Sequence, residues 1–383
     1  MKILHVISGL GENAGGTSEV VPRLCRALKE AGETVDILLA NKAEKKSDET
    51  RLAESSGVRV IYSQGLWDWK KYFLPDKQRA DYAASLVTGY DIVHIHGLWQ
   101  PQQWYVARAC RKLGVPYVMM PHGFLKSEAL KISKWKKRLI GALVERKNLV
   151  KAAALVATSE SEAAGFKAYG LENRVHIMPI GLDREKYVPK DETSRSKNGK
   201  RLLLYFSRIT PVKGLDMLAE AWSKMSVFHD KWELVLAGPD DRGFTAKIKP
   251  EFERLSPDGS VKFLGPVYGE EKYKLLHSAD AFVLPTRSEN WSIAVAEAMA
   301  SCVPVVCTKG APWQCLEECG AGYWVDISDE GICKGLKEVM SLSDDERIAM
   351  GVHGRDWVSK NLGWDGIAKK MISFYEDVLR GVN

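Results

Sequence analysis

Two glutamates, Glu289 and Glu297, lie in the segment Leu284-Pro285-Thr286-Arg287-Ser288-Glu289-Asn290-Trp291-Ser292-Ile293-Ala294-Val295-Ala296-Glu297-Ala298-Met299-Ala300. An aliphatic strand runs out at Leu284, a polar loop turns, and a helix begins. The helix tip then faces the strand ends and offers unpaired N–H groups and the positive end of a dipole to a phosphate. At about 1.5 Å per helical residue the carboxylates lie ~10 Å apart, a span comparable to that between a sugar and a ribose flanking a diphosphate. Carboxylates accept paired hydroxyl hydrogen bonds, so one can grip each ring while the helix tip holds the diphosphate. Glutamates recur at this spacing by chance among 49 acidic residues. The strand-to-helix turn, with Val303-Pro304-Val305-Val306 following, sets this pair apart.

A departing diphosphate gathers negative charge, and something positive must stabilise it. Arg208 closes the first strand of the chain's second half, and Lys213 follows after Ile209-Thr210-Pro211-Val212, just before Gly214 and a helix. Many diphosphate-releasing enzymes hold a metal on a D-x-D motif. No D-x-D occurs here, so Arg208 and Lys213 are the candidate substitutes, with a solvated surface pair as the competing reading. His122 ends a strand in Met120-Pro121-His122-Gly123, where open α/β sheets place ligand groups; a satisfied structural histidine is the alternative. His94 and His96 share one strand face and with His122 make a formal metal triad. No carboxylate or cysteine is spaced to complete a tetrahedral set, so His96-Gly97-Leu98-Trp99 is read as shaping an acceptor side. Gly9, Gly11, Gly15 and Gly16 form a turn after the first strand. It is not the dinucleotide fingerprint, because Ala14 takes the third glycine's place and the second strand ends at Ala40-Asn41 without an acid.

The elements that must position these groups are short aliphatic runs alternating with helical patterns, as in parallel sheets covered by crossover helices. With 383 residues and 45% hydrophobic content, the chain fits two cores. Strands are expected near 3–8, 34–40, 58–62, 91–96, 117–120, 155–158 and 175–179, making one sheet. A polar stretch at 188–199 without apolar periodicity reads as a linker. A second series is expected at 202–206, 233–237, 261–264, 281–284, 303–307 and 323–325. The class is α/β, with a first domain over 1–187, a second over 200–363, and a terminal helix over 364–383 with Ile367, Met371, Phe374, Tyr375 and Val378 on one face.

Composition narrows the partners. The net charge of +6 suits an anionic ligand or lipid surface, and no nucleic-acid motif is present. Nine basic residues and two acidic ones lie between Lys126 and Lys151, interleaved with Trp135, Leu139, Ile140, Leu143 and Val144. That pattern fits an amphipathic helix on an anionic membrane equally well as a core-facing helix with a solvated face. Trp67, Trp69, Tyr72 and Phe73 can stack on sugar rings or lipid, or pack a loop. The opening apolar run is broken by His5 and lacks a signal-peptide cleavage site, and no window spans a bilayer. Seven cysteines without a C-x-x-C pair argue against a disulfide framework or zinc knuckle. A cytoplasmic protein, peripheral on the inner face of the membrane at most, is the expectation.

The 284–300 segment resembles the E-x7-E element of glycosyltransferase family 4, retaining enzymes of the GT-B fold, and the resemblance covers nearly the whole chain. It implies two Rossmann-like domains facing across a cleft, with the terminal helix crossing back onto the first. It implies that Glu289 contacts the donor sugar and Glu297 the ribose, that Arg208 and Lys213 neutralise the diphosphate, and that His122 lies near the sugar. Gly15, Gly16, Val267, Asn290, Trp291, Ser292 and Ile293 complete the implied donor-binding set, and His96 and Trp99 are the acceptor-side candidates. Asn290, Trp291 and Ser292 replace the small residues usual after the first glutamate. The implied function is metal-independent, cofactor-free transfer from a nucleotide diphosphate sugar to a glycan or lipid-linked acceptor. Capsule, exopolysaccharide or O-antigen assembly is the implied setting. An epimerase or phosphorylase on the same fold, or a two-lobed sugar-binding protein, are the alternatives.

Overall fold

The computed structural model describes residues 1–10, 16–40, 48–63, 66, 76–126, 145–187 and 199–381. Gly15, the Trp67, Trp69, Tyr72 and Phe73 cluster, most of the basic segment from Lys126 to Lys151, and the 188–198 part of the linker lie outside the described residues.

The chain divides into two units. The first comprises Met1–Gly181 with Trp364–Asn383. Its strands are β1 (Lys2–Ile7), β2 (Thr34–Leu39), β3 (Arg59–Tyr62), β4 (Ile92–His96), β5 (Tyr117–Met120), β6 (Ala154–Ala157) and β7 (Val175–Ile177). The helices between them are α1 (Thr17–Glu30), α2 (Asp48–Ser55), α3 (Lys77–Val87), α4 (Pro101–Leu113), α5 (Arg146–Val150) and α6 (Glu160–Ala168). The strands pair in parallel in the order β3-β2-β1-β4-β5-β6-β7. Parallel strands covered on both faces read as unbroken apolar runs, and β4, β5 and β6 are buried along their whole length, whereas β3 and β7 at the sheet edges are only partly covered. The pairing of β1 with β4 sets His5 opposite His94 in the sheet centre.

The second unit, Leu182–Gly363, holds β8 (Arg201–Phe206), β9 (Trp232–Ala237), β10 (Val261–Gly265), β11 (Ala281–Leu284), β12 (Val305–Thr308) and β13 (Gly322–Val325) in the parallel order β10-β9-β8-β11-β12-β13. Its helices are α7 (Leu215–Ser223), α8 (Thr245–Leu255), α9 (Gly269–Ser278), α10 (Ile293–Ala300), α11 (Cys315–Glu318), α12 (Asp329–Ser341) and α13 (Asp344–Asn361). Val303 and Pro304 precede β12 where the sequence led us to start the strand, because proline has no N–H for a central ladder. The last helix, α14 (Trp364–Leu379), returns to the first unit and packs on α1, burying Ile367, Met371, Phe374 and Tyr375 while Val378 is half-buried.

The first unit ends at Gly181 and not at Tyr187. The Leu182 N–H donates to the Leu362 carbonyl at 2.8 Å, and Tyr187 bonds inside the second unit, to Glu297. Among the described residues no helix is long and apolar enough to cross a membrane. All seven cysteines are unpaired.

Helix α10 is held in place by α13, which packs against it. Gly351 of α13 lies so close to Cys302, just after α10, that a Cβ there would collide with the Cys302 carbonyl. Gly351→Ala is expected to lower stability by about 1–3 kcal/mol through overpacking, read as a reduced urea midpoint with the m-value unchanged; a wild-type midpoint would show that α13 does not seat α10 tightly.

Candidate active site

The loop after β11 is pinned from both sides. Arg287 donates its backbone N–H to the Val212 carbonyl and Glu289 its own to the Gly310 carbonyl, each at 2.8 Å. Arg287 also forms a two-pronged ion pair with Asp216, 2.7 Å on one prong, and that pairing lowers the Asp216 pKa. A Cβ on Gly214 would collide with the Pro285 carbonyl, and one on Gly310 with that of Thr286. Only glycine lets the loops after β8, β11 and β12 meet backbone to backbone.

This clamp places the charges. Lys213 ends a single 3-10 turn, Pro211–Lys213, is 6% exposed, and pairs its ammonium with the Glu289 carboxylate. Glu297, on α10, is 1% exposed. Its Oε1 accepts from the Tyr187 hydroxyl at 2.7 Å and from Lys272 Nζ, on α9, at 2.5 Å. Arg208, just past β8, is exposed, and its guanidinium makes no hydrogen bond or ion pair among the described residues. Trp291 is buried against Trp313, ring centroids 4.8 Å apart. Ser292 caps α10 at φ 75°, ψ 94°, a conformation unusual for a residue with a Cβ. Asn290, Ser292 and Ile293 are half-buried, as is Val267 between β10 and α9. The donor-side candidates of this unit therefore follow the carboxyl ends of β8, β10 and β11.

In the first unit His96 ends β4, and Trp99 and His122 lie just past the carboxyl ends of β4 and β5. His122 adopts φ 55° and Gly123 φ 81°, and the turn is held by Glu162, whose Oε1 accepts the Gly123 N–H at 2.5 Å while its Oε2 takes the Thr158 N–H and hydroxyl. His122 Nε2 lies 3.0 Å from His96 Nδ1, His96 Nε2 lies 2.9 Å from His5 Nδ1, and His94 Nδ1 lies 2.6 Å from the Tyr375 hydroxyl. One nitrogen each of His5, His94 and His96 falls within 4.8 Å of the others. The His94 and His96 rings are stacked, centroids 4.2 Å apart and planes 23° apart, and nitrogens of this group are already engaged with one another and with Tyr375, His96 Nε2 with His5 Nδ1 and His94 Nδ1 with the tyrosine hydroxyl. Burial pushes His122 down to about 4 against the opposing pull of Glu162, pushes His5 down to about 3, and drives His94 and His96 well below the ordinary imidazole value. All four rings are neutral at neutral pH. Trp99, at φ 70°, is half-buried and donates its backbone N–H to Glu145. Gly16 is exposed at the N-cap of α1.

Four residues that complete these arrangements were not singled out by sequence reasoning as site groups. Lys272 stands beside Glu270 and Glu271 and reads as part of a solvated helix face. Tyr187 closes the stretch before the linker. Glu162 lies three residues after Ser159, the spacing of a capping box, although its carboxylate reaches to the His122 turn. His5 entered only as a polar break in an apolar run.

Residues 189–357 match the family model described as Glycosyl transferases group 1, and residues 15–181 match the Glycosyl transferase 4-like domain. The D-inositol 3-phosphate glycosyltransferase of Corynebacterium urealyticum is 25% identical, covering 97% of this chain and 92% of that protein. EpsF of Bacillus subtilis, named as a glycosyltransferase, is 28% identical over 80% of this chain and 78% of its own. The solved structure of Anabaena HepE in complex with UDP-glucose shares the fold, with TM-score 0.76, 17% identity, and coverage of 98% of this chain and 100% of that one.

Four imidazoles neutral in the folded state bind protons on unfolding wherever the pH lies below their free value of ~6.5. Their folded pKa values are depressed by burial, so the stability they confer is complete above about pH 6.5 and is lost progressively as pH falls below it. Urea midpoints are expected to fall steadily from about pH 7 to about pH 5, with an uptake of up to about four protons on unfolding; a flat profile over that window would mean the cluster is charged in the fold.

Proposed function

We propose that this glycosyltransferase, whose residues 189–357 match the glycosyl transferases of group 1 and whose residues 15–181 match the glycosyl transferase 4-like domain, moves a sugar from a nucleotide diphosphate sugar to a glycan or lipid-linked acceptor, with retention at the anomeric carbon and without a metal ion. The observation that carries this reading is the pair of anchored carboxylates on one loop-helix segment: Glu289 held by Lys213 at the tip of α10, and Glu297 held by Lys272 and Tyr187 within it. In this reading the second unit binds the donor and the first serves the acceptor. Glu289 grips the transferred sugar, Glu297 the ribose, and the amides of Asn290, Trp291, Ser292 and Ile293 meet the diphosphate. Arg208 and Lys213 take up the charge that builds on it as the glycosidic bond breaks, so fixed cations do the work that a metal does elsewhere. The leaving phosphate helps deprotonate the acceptor on the same face, and His122 orients the sugar.

A UDP-sugar is the donor favoured by the fold shared with HepE. A bacterial surface polysaccharide, whether capsule, exopolysaccharide or O-antigen, is the product favoured by the family. A second acceptor reading, a phosphorylated cyclitol, draws on the D-inositol 3-phosphate glycosyltransferases that match nearly the whole chain.

A ligand that binds only the folded state raises the melting temperature. In a panel of UDP, GDP, TDP, CMP and NAD with and without EDTA, one nucleoside diphosphate is expected to raise it equally in both conditions. A shift with NAD alone, or one abolished by EDTA, would sink the reading. Arg208→Ala and Lys213→Ala are each expected to lower turnover by roughly two powers of ten or more, and near-normal turnover in either removes that residue from the charge-stabilising role.

A further inference from the structure

Three imidazoles form a chain behind the His122 turn, and their bearing on the reaction rests on the reading that His122 faces the sugar. His5 on β1, His96 on β4 and His122 after β5 are joined nitrogen to nitrogen at 2.9 and 3.0 Å. Burial keeps all three neutral. A neutral imidazole carries one N–H and one lone pair, and each link needs one of each, so the three tautomers are locked in phase. Only two arrangements satisfy both links.

In the first, His122 Nε2–H donates to His96 Nδ1 and His96 Nε2–H donates to His5 Nδ1. His5 must then carry its proton on Nε2, and His122 presents a bare lone pair on Nδ1. In the second every proton is shifted across its ring: His5 Nδ1–H donates to His96 Nε2, His96 Nδ1–H donates to His122 Nε2, and His122 carries its proton on Nδ1. The two differ at the inner end. His5 is fully buried and its Nε2 has no hydrogen-bond partner among the described residues. The first arrangement strands an N–H there, whereas the second leaves only a lone pair, and orphaned buried N–H groups are the rarer case. The His94 ring, stacked on His96 and bonded to Tyr375, closes the adjacent side of the chain without offering His5 Nε2 an acceptor.

We propose that His5 and His96 are positioning residues that hold His122 as its Nδ1–H tautomer, giving the first unit a fixed hydrogen-bond donor, and not a base, for a hydroxyl oxygen of the bound sugar. The selection is made at the far end of the chain, in the middle of the sheet, by a residue that never meets the substrate. Glu162 works on the same group from the other side by fixing the backbone of the His122 turn through the Gly123 N–H.

The test is long-range nitrogen–proton NMR of the intact, ligand-free protein labelled with 15N-histidine. The expected spectrum gives His5, His96 and His122 a protonated Nδ1 and an unprotonated Nε2. The opposite assignment at His122, an imidazolium, or fast averaging of its two nitrogens would overturn the proposal. His5→Leu removes the inner end and is expected to collapse the His122 signals toward averaged positions, while His5→Asn, whose amide N–H stands near the position of Nδ1, restores them. An unchanged His122 pattern in a folded His5→Leu protein would also overturn it, and if that variant does not fold the wild-type spectrum still decides. UDP-glucose added as a probe separates the two readings: locked tautomers with no response at His122 would keep the chain and discard the assignment of His122 to the sugar.

Discussion

A carboxylate as deeply buried as that of Glu297 exists in a fold only if its charge is answered, because an unpaired buried ion costs several kcal/mol. Here the answer comes from two other parts of the second unit: the ammonium of Lys272 on α9 and the hydroxyl of Tyr187 at the start of the unit. The three groups fix where α10 lies, and α10 determines where its N-terminal amides and the Glu289 loop lie. Replacing such a pair with apolar side chains is often neutral for stability, whereas removing one partner costs about 3–5 kcal/mol. The network is therefore better understood as a device that specifies geometry than as a source of stability. It also explains why the unit begins at Leu182: the stretch carrying Tyr187 is needed by the carboxylate.

The two units use one architecture for opposite electrostatic ends. Each places its polar groups beyond the carboxyl ends of parallel strands, where a doubly wound sheet leaves room for them. In the second unit those groups are full charges, with Lys213 and Glu289 paired and Arg208 exposed, which suits a ligand whose own charge changes during a reaction. In the first unit the corresponding positions hold imidazoles that burial keeps uncharged. In the proposed reading, neutral rings supply direction in place of charge, because a hydrogen bond from a fixed tautomer orients a ligand without competing for its phosphates.

Much of this was legible in the sequence because parallel strands buried on both faces are unbroken apolar runs, and each expected strand overlaps an observed one. The exceptions were at boundaries, where composition is a poor guide: Tyr187 looks like the end of the first domain, but its hydroxyl partner lies 110 residues further on. The same limit governs the candidate site. Glu289, Lys213 and Glu297 stand out by residue type, spacing and the turn between strand and helix, all of which are local. Lys272, Glu162 and His5 act through contacts that are distant in sequence or that point away from the local motif. His5 shows the limit most clearly, since its meaning depends on β1 pairing with β4, and no periodicity within β1 encodes which strand its neighbour will be.

The loop at the tip of α10 shows how a site can change its residues and keep a defined backbone. Asn290, Trp291 and Ser292 stand where the resemblance to glycosyltransferase family 4 leads one to expect small residues, and Ser292 holds φ 75° despite its Cβ. A non-glycine residue in such a region costs about 1–3 kcal/mol and persists only where its surroundings over-determine it. Trp291 provides that: its side chain is buried against Trp313, whose indole N–H donates back to the Trp291 carbonyl. Burying a large apolar side chain contributes on the order of 2–3 kcal/mol, enough to offset the strain at the next residue. The local conformation is then imposed from behind by the tryptophan pair, where glycine would merely have permitted it. If the tip of α10 meets a diphosphate as proposed, its amides need one orientation, and a loop anchored by packing supplies that orientation before the ligand arrives.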